Sequence, residues 1–143
     1  MKGGDISNTV APAIMIDIED LIVEFPQNLG TKKKILPKKV FSSDRFGFKI
    51  IDEAVLNLEK FYLDEDINVY LFAHLDPKFE DTIFSLLEDI PCNKIYVGNS
   101  TKREMVLRFQ NIHWYYYKKE KNAPKIINRS KGVWVRDYTE ITF

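Results

Sequence analysis

Apolar residues in this chain fall into two kinds of run, and the two kinds alternate. Short, nearly continuous runs lie at Ala13–Ile18 (AIMIDI), Asn68–Phe72 (NVYLF), Lys94–Val97 (KIYV), Ile112–Tyr117 (IHWYYY) and Gly132–Val135 (GVWV). Their length and their β-branched and aromatic content predict buried strands. Between them, apolar positions recur at helical spacing. Ile50, Ile51, Ala54, Val55, Leu58, Phe61 and Tyr62 predict an amphipathic helix over Phe48–Leu63. Phe79, Ile83, Leu86, Leu87 and Ile90 predict a second helix, opened by Asp76 as N-cap with Pro77 at N1 and ended by Pro91. Gly98-Asn99 predicts a turn, and Thr101-Lys102-Arg103-Glu104 reads as a capping box that opens a third helix to about Phe109.

Strands alternating with helices predict a single α/β domain over residues 1–143, built as a three-layer, doubly wound, mainly parallel five-stranded sheet. Right-handed crossovers would place helices on both faces. Met1–Thr9 is polar and predicted to be loose. Residues 26–47 begin with Pro26, Gly30, Pro37 and five lysines, and read as a loop or small flap after the first strand. Ligands of such sheets bind beyond the C-terminal strand ends, near the switch in strand order. The positions to inspect are therefore Asp17–Asp20, Ala73–Asp76, Gly98–Lys102 and Lys118–Asn122.

Charge changes the picture through its distribution. Lys+Arg and Asp+Glu number 21 each, for a formal net charge of zero. Yet Lys102–Arg136 holds ten Lys/Arg against two acids, Glu104 and Glu120. The acids concentrate before Lys102. Cys92 is the single cysteine, which excludes an intrachain disulfide and a Cys-rich zinc site, and it reads as a small buried hydrophobe. The apolar stretch Val10–Ile16 runs into Asp17, Glu19 and Asp20, so neither a signal peptide nor a membrane span is predicted, and a cytoplasmic location is expected.

The acids after the first strand carry the strongest chemical signal. Asp17 and Glu19, two residues apart, with Asp20 beside them, are hard oxygen donors suited to Mg²⁺. One carboxylate of such a pair can also attack phosphorus while the other moves a proton. A solvated turn at a strand end would contain the same residue types.

The segment IMIDIEDLIVEF resembles the first motif of the haloacid dehalogenase-like (HAD) phosphohydrolases, an apolar strand followed by Asp-x-Asp and a further apolar run. The resemblance implies Asp17 as nucleophile, Glu19 as general acid/base, both as Mg²⁺ ligands, and Lys102 as the cation of the third motif, with Lys94 a weaker match. It extends in order and spacing from about Ala13 to Val135. The second-motif hydroxyl is missing, because the second strand ends Leu71-Phe72-Ala73-His74. The acidic pair of the fourth motif is replaced by Lys118-Lys119-Glu120-Lys121-Asn122. Glu19 also extends its carboxylate by a methylene, and misplacement near 1 Å can cost on the order of 100-fold in rate. A degenerate domain with weak or lost phosphatase activity is therefore expected.

The alternative is a non-catalytic binding or regulatory module working through its basic C-terminal surface. Lys118 and Lys119, with Asn99 and His74 at neighbouring strand ends, would hold a phosphate-containing small molecule or an acidic protein partner. The Lys32–Lys39 segment could cover such a phosphate. Tyr115–Tyr117 and Trp134 among the basic residues suit nucleic acid in principle, but they read better as core aromatics, with Ile112–Tyr117 as a central strand. An acidic surface on one copy meeting a basic one on another would give a homodimer. A third reading is a PIN-like metal-dependent nuclease recruiting Asp17, Asp20 and Asp76.

Overall fold

The computed structural model describes residues 12–27, 47–63, 67–98, 112–123 and 131–142. Among these residues the chain order is β1 (Ala13–Asp17), β2 (Val23–Glu24), β3 (Lys49–Ile50), α1 (Asp52–Tyr62), β4 (Asn68–His74), α2 (Glu80–Leu86), β5 (Lys94–Gly98), β6 (Ile112–Tyr117) and β7 (Gly132–Trp134). Short 3₁₀ turns at Pro77–Phe79, Glu120–Asn122 and Tyr138–Glu140 complete it.

Five strands form one sheet in the order β5-β4-β1-β6-β7, and every neighbouring pair is parallel. The chain moves outward from β1 to β4 and β5, then returns to the other side of β1 for β6 and β7. The strand order therefore reverses beside β1, and all C-terminal strand ends lie along one edge. This is the mainly parallel five-stranded α/β sheet that the alternating runs predict, and the two described helices, α1 and α2, both pack on its face bearing Ile14 and Ile16.

Burial explains why the first run is continuous. All five residues of β1 are buried. Ile14 and Ile16 share one core with Val69, Leu71 and Ala73 of β4, Ala54 and Leu58 of α1, and Ile83 of α2. Ala13 and Met15 face the other way, into a second cluster with Phe72, Ile112 and Tyr115. A strand buried on both faces has no polar alternation to display. Each fully buried Ile or Leu contributes about 1.5–3 kcal/mol.

Several boundaries shift from the predicted ones for local reasons. Phe48–Ile51 is not helical. Lys49–Ile50 pairs antiparallel with Val23–Glu24, and the Ile51 N–H donates to the Ile22 carbonyl at 2.9 Å. Helix α1 starts only at Asp52, with Asp52 and Glu53 in its first turn, where acids complement the helix dipole. The β2–β3 ribbon brackets the segment read as a flap, of which 28–46 lie outside the described residues. Asp76 caps its turn as expected, accepting from the Lys78 N–H at 2.8 Å with Pro77 behind it. The helix that follows stops at Leu86, and the Glu88 and Ile90 N–H groups then bond three residues back, to the Ser85 and Leu87 carbonyls at 3.5 and 3.0 Å, which tightens the chain before Pro91. The third helix, predicted from Thr101 to Phe109, lies outside the described residues, as does Met1–Thr9.

Sequence patterning does not single out the C-terminal turn. Val135 and Ile141 enter the main core, Asn57 of α1 donates its side-chain amide to the Tyr138 carbonyl at 3.1 Å, and the Tyr116 hydroxyl donates to the Thr142 carbonyl. Among the described residues, no helix is long and apolar enough to cross a membrane.

Candidate functional site

The chain leaves β1 through a turn held by its own acids. The Ile18 carbonyl accepts from the N–H groups of Leu21, Ile22 and Val23 at 3.1, 3.0 and 3.1 Å. Asp17 Oδ1 accepts from the Glu19 N–H at 3.2 Å, and Asp20 Oδ1 accepts from the Phe25 N–H at 3.1 Å. Asp20 sits at φ 60°, in the left-handed region that Asp tolerates better than most residues. The turn aims its three acidic side chains differently. Asp17 is wholly buried at 0% exposure, Glu19 is buried at 6%, and Asp20 is half-exposed beside it.

The segment after β6 closes over these acids. It folds into a 3₁₀ turn in which the Asn122 N–H donates to the Lys119 carbonyl at 2.8 Å. Lys119 Nζ lies 3.1 Å from Asp20 Oδ2, and Lys121 Nζ lies 3.2 Å from Glu19 Oε2. Asn122, buried at 2%, donates its side-chain amide to Glu19 Oε1 at 3.0 Å. Both oxygens of the Glu19 carboxylate therefore have partners from this one segment. The Tyr115 hydroxyl donates to the Asn122 carbonyl at 3.4 Å and fixes the seat from below.

A cleft of about 760 Å³ opens along this edge of the sheet. Glu19, Asp20, Lys119 and Lys121 form one wall, with His74 and Asp76 from the end of β4 nearby. Phe25, Leu75 and Phe79 supply the apolar part. Phe25 and Phe79 both pack edge-to-face on Phe48, at 5.0 and 6.1 Å between ring centroids, so that wall is part of the core rather than a loose rim. His74 lies against the Phe72 ring at 6.0 Å.

Of the residues singled out from sequence, Asp17 and Glu19 lie on one turn, and Glu19, His74 and Lys119 meet at the cleft. Lys118 is placed differently from its neighbours. It is half-buried, and its carbonyl accepts from Trp134 Nε1 at 2.9 Å. Lys94 begins β5, with its ammonium 6.0 Å from the Tyr96 ring, at the N-terminal edge of the sheet. Asn99, Lys102 and the lysines from 32 to 39 lie outside the described residues. Asn122 is the contributor that spacing does not single out. Its signal was a lone amide in a run of lysines directly after a strand end.

Among the described residues, the acids that line the cleft offer few uncommitted oxygens for Mg²⁺. A divalent cation of this kind takes several oxygen ligands, mostly carboxylates and water. Glu19 is already engaged on both oxygens, Asp20 holds Phe25 and Lys119, and Asp76 caps its own turn. Among the described residues no group of three His, Cys, Asp or Glu side chains could hold a metal ion. The three acids named for a nuclease-type centre are likewise each committed to a local turn.

No family model, curated protein or solved structure matches this chain.

Proposed function

We propose that the chain is a HAD-like α/β domain whose phosphohydrolase activity is weak or lost, and that it works as a non-catalytic binding or regulatory module through the cleft at the C-terminal strand ends. The strand order, the acid turn at the point where that order reverses and the ribbon-bracketed insertion after β1 support the HAD-like part. A three-layer arrangement with a further helix over Thr101–Phe109 belongs to the same proposal.

One observation carries the functional part. The Glu19 carboxylate is held by Lys121 Nζ at 3.2 Å and Asn122 Nδ2 at 3.0 Å, both from the segment where a phosphohydrolase of this type would need further acids. Acid/base work requires a carboxylate that can reach a substrate atom, and this one faces protein donors on both oxygens. Asp17 has 0% exposure, which opposes its use as a nucleophile, because an attacking carboxylate has to meet phosphorus. An anion arriving at Lys119 meets the Asp20 carboxylate already seated on the same ammonium. Phosphate capture by these lysines is thus weaker than their number suggests.

The test is hydrolysis of p-nitrophenyl phosphate with Mg²⁺ by the full chain and by Asp17→Asn. The two proteins should give the same background rate. A Mg²⁺-dependent rate that Asp17→Asn abolishes would overturn the non-catalytic part of the proposal.

A further inference from the structure

We infer that Lys121 is the resident counter-cation of the acid turn, holding at Glu19 the place a divalent cation would need. The inference rests on the non-hydrolytic reading above and deepens it by naming what keeps metal out. Glu19 is the least exposed charged group of the cleft wall, at 6%, and a buried carboxylate needs a cation or several donors to remain ionised without large cost. Here the cation comes from the protein. Lys121 is 67% exposed in its side chain, so its ammonium reaches in from solvent and leaves most of the desolvation to Glu19. Asn122 takes the second oxygen, and its own burial at 2% makes its position part of the fold.

The arrangement is matched at two points. Lys119 and Lys121, two residues apart, meet Asp20 and Glu19, which are adjacent. A single surface ion pair is worth little, but two pairs sharing one short turn restrict each other. Tyr115 secures the turn through the Asn122 carbonyl. A metal ion approaching Glu19 meets an ammonium 3.2 Å from Oε2 and an amide on Oε1. Repulsion and occupied lone pairs both oppose its entry.

Removing the ammonium while keeping the fold should unmask the carboxylate. Wild-type protein titrated with Mn²⁺ alone should give no calorimetric binding at the turn. Lys121→Gln should give a measurable Mn²⁺ isotherm, with an affinity on the order of tenfold above the wild-type detection limit, because ligand charge sets such affinities. Lys121→Arg should behave as wild type. Adding Glu19→Gln to Lys121→Gln should abolish the gain. No gain in Lys121→Gln, or a gain that survives Glu19→Gln, overturns the role. Should Lys121→Gln not melt cooperatively, the wild-type protein still decides. Mn²⁺ that selectively broadens the Glu19 and Asn122 resonances overturns the proposal, and unaffected resonances support it. Mg²⁺-dependent hydrolysis by wild type would overturn the non-catalytic reading, whereas absent hydrolysis with no Mn²⁺ gain would overturn the counter-cation role alone.

Discussion

At the residue scale, a few positions carry constraints that their neighbours do not. Gly47 sits at φ 97°, and a Cβ there would stand 3.2 Å from Pro26 Cβ. The two residues face each other where the bracketed insertion leaves and rejoins the domain. Gly47→Ala should therefore destabilise by about 1–2 kcal/mol, the cost of an L residue in left-handed backbone. Equilibrium urea unfolding measures it, and an unchanged midpoint would contradict the strain. Asn122→Ala removes one of the two partners of a buried carboxylate and should cost about 1–3 kcal/mol. Glu19→Gln in the same assay should cost less, since the amide oxygen still accepts from Asn122 and Lys121 can return to water. Cys92 has a different constraint. Burial pushes its thiol from 9.0 up to about 11, partly offset by a hydrogen bond with the Lys94 backbone. The unfolded chain releases this proton first. The stability it contributes is thus full below pH 9 and is lost as pH rises through 11. Alkylation by iodoacetamide at pH 8 should be markedly slower in the folded protein than in urea. Equal rates would place the thiol in water.

At the element scale, the acid turn after β1 and the 3₁₀ turn after β6 act as one unit. Lys121→Gln should lower stability by about 1–2 kcal/mol, between the values for exposed and buried pairs. The difference from wild type should shrink as salt is added, because the ammonium is open to solvent. A loss independent of salt would mean that Lys121 acts through packing. The strands of this frame were legible in the sequence as short apolar runs, unbroken before Asp17 in β1 because that strand is buried on both faces. Ile112–Tyr117 matches its predicted span, and the other four differ by only one or two residues at an end. Helix beginnings were less legible. Ile50 and Ile51 have helical spacing with Ala54, yet they are drawn into the ribbon by pairing with β2 and by the Ile22 carbonyl, partners far away in sequence. The site was half legible. Acids at the end of β1 and lysines at the end of β6 could each be placed at one sheet edge. Their pairing with each other depends on β6 lying directly beside β1, and a sequence pattern does not contain that adjacency.

At the scale of the whole molecule, the zero net charge conceals an acidic part and a basic part that meet within one chain. Lys119 and Lys121 pair with Asp20 and Glu19, Lys131 Nζ donates to the Ile112 carbonyl at 2.7 Å, and Arg136 pairs with Glu140 at 3.1 Å. Much of the described basic surface is therefore spent internally, which leaves less of it for a phosphate ligand, an acidic partner or a second copy. The cleft remains, with its apolar Phe25–Phe79 wall anchored in the core and its polar wall already neutralised. On the proposed reading, that combination serves binding rather than turnover. The most direct measurement is a crystal structure of the protein soaked with Mg²⁺ and BeF₃⁻, a mimic of an aspartyl-phosphate. We expect no BeF₃⁻ or Mg²⁺ on Asp17 and Lys121 Nζ still seated on Glu19. An Asp17–BeF₃⁻ adduct with Mg²⁺ coordinated beside it and Lys121 displaced would contradict this view of the site.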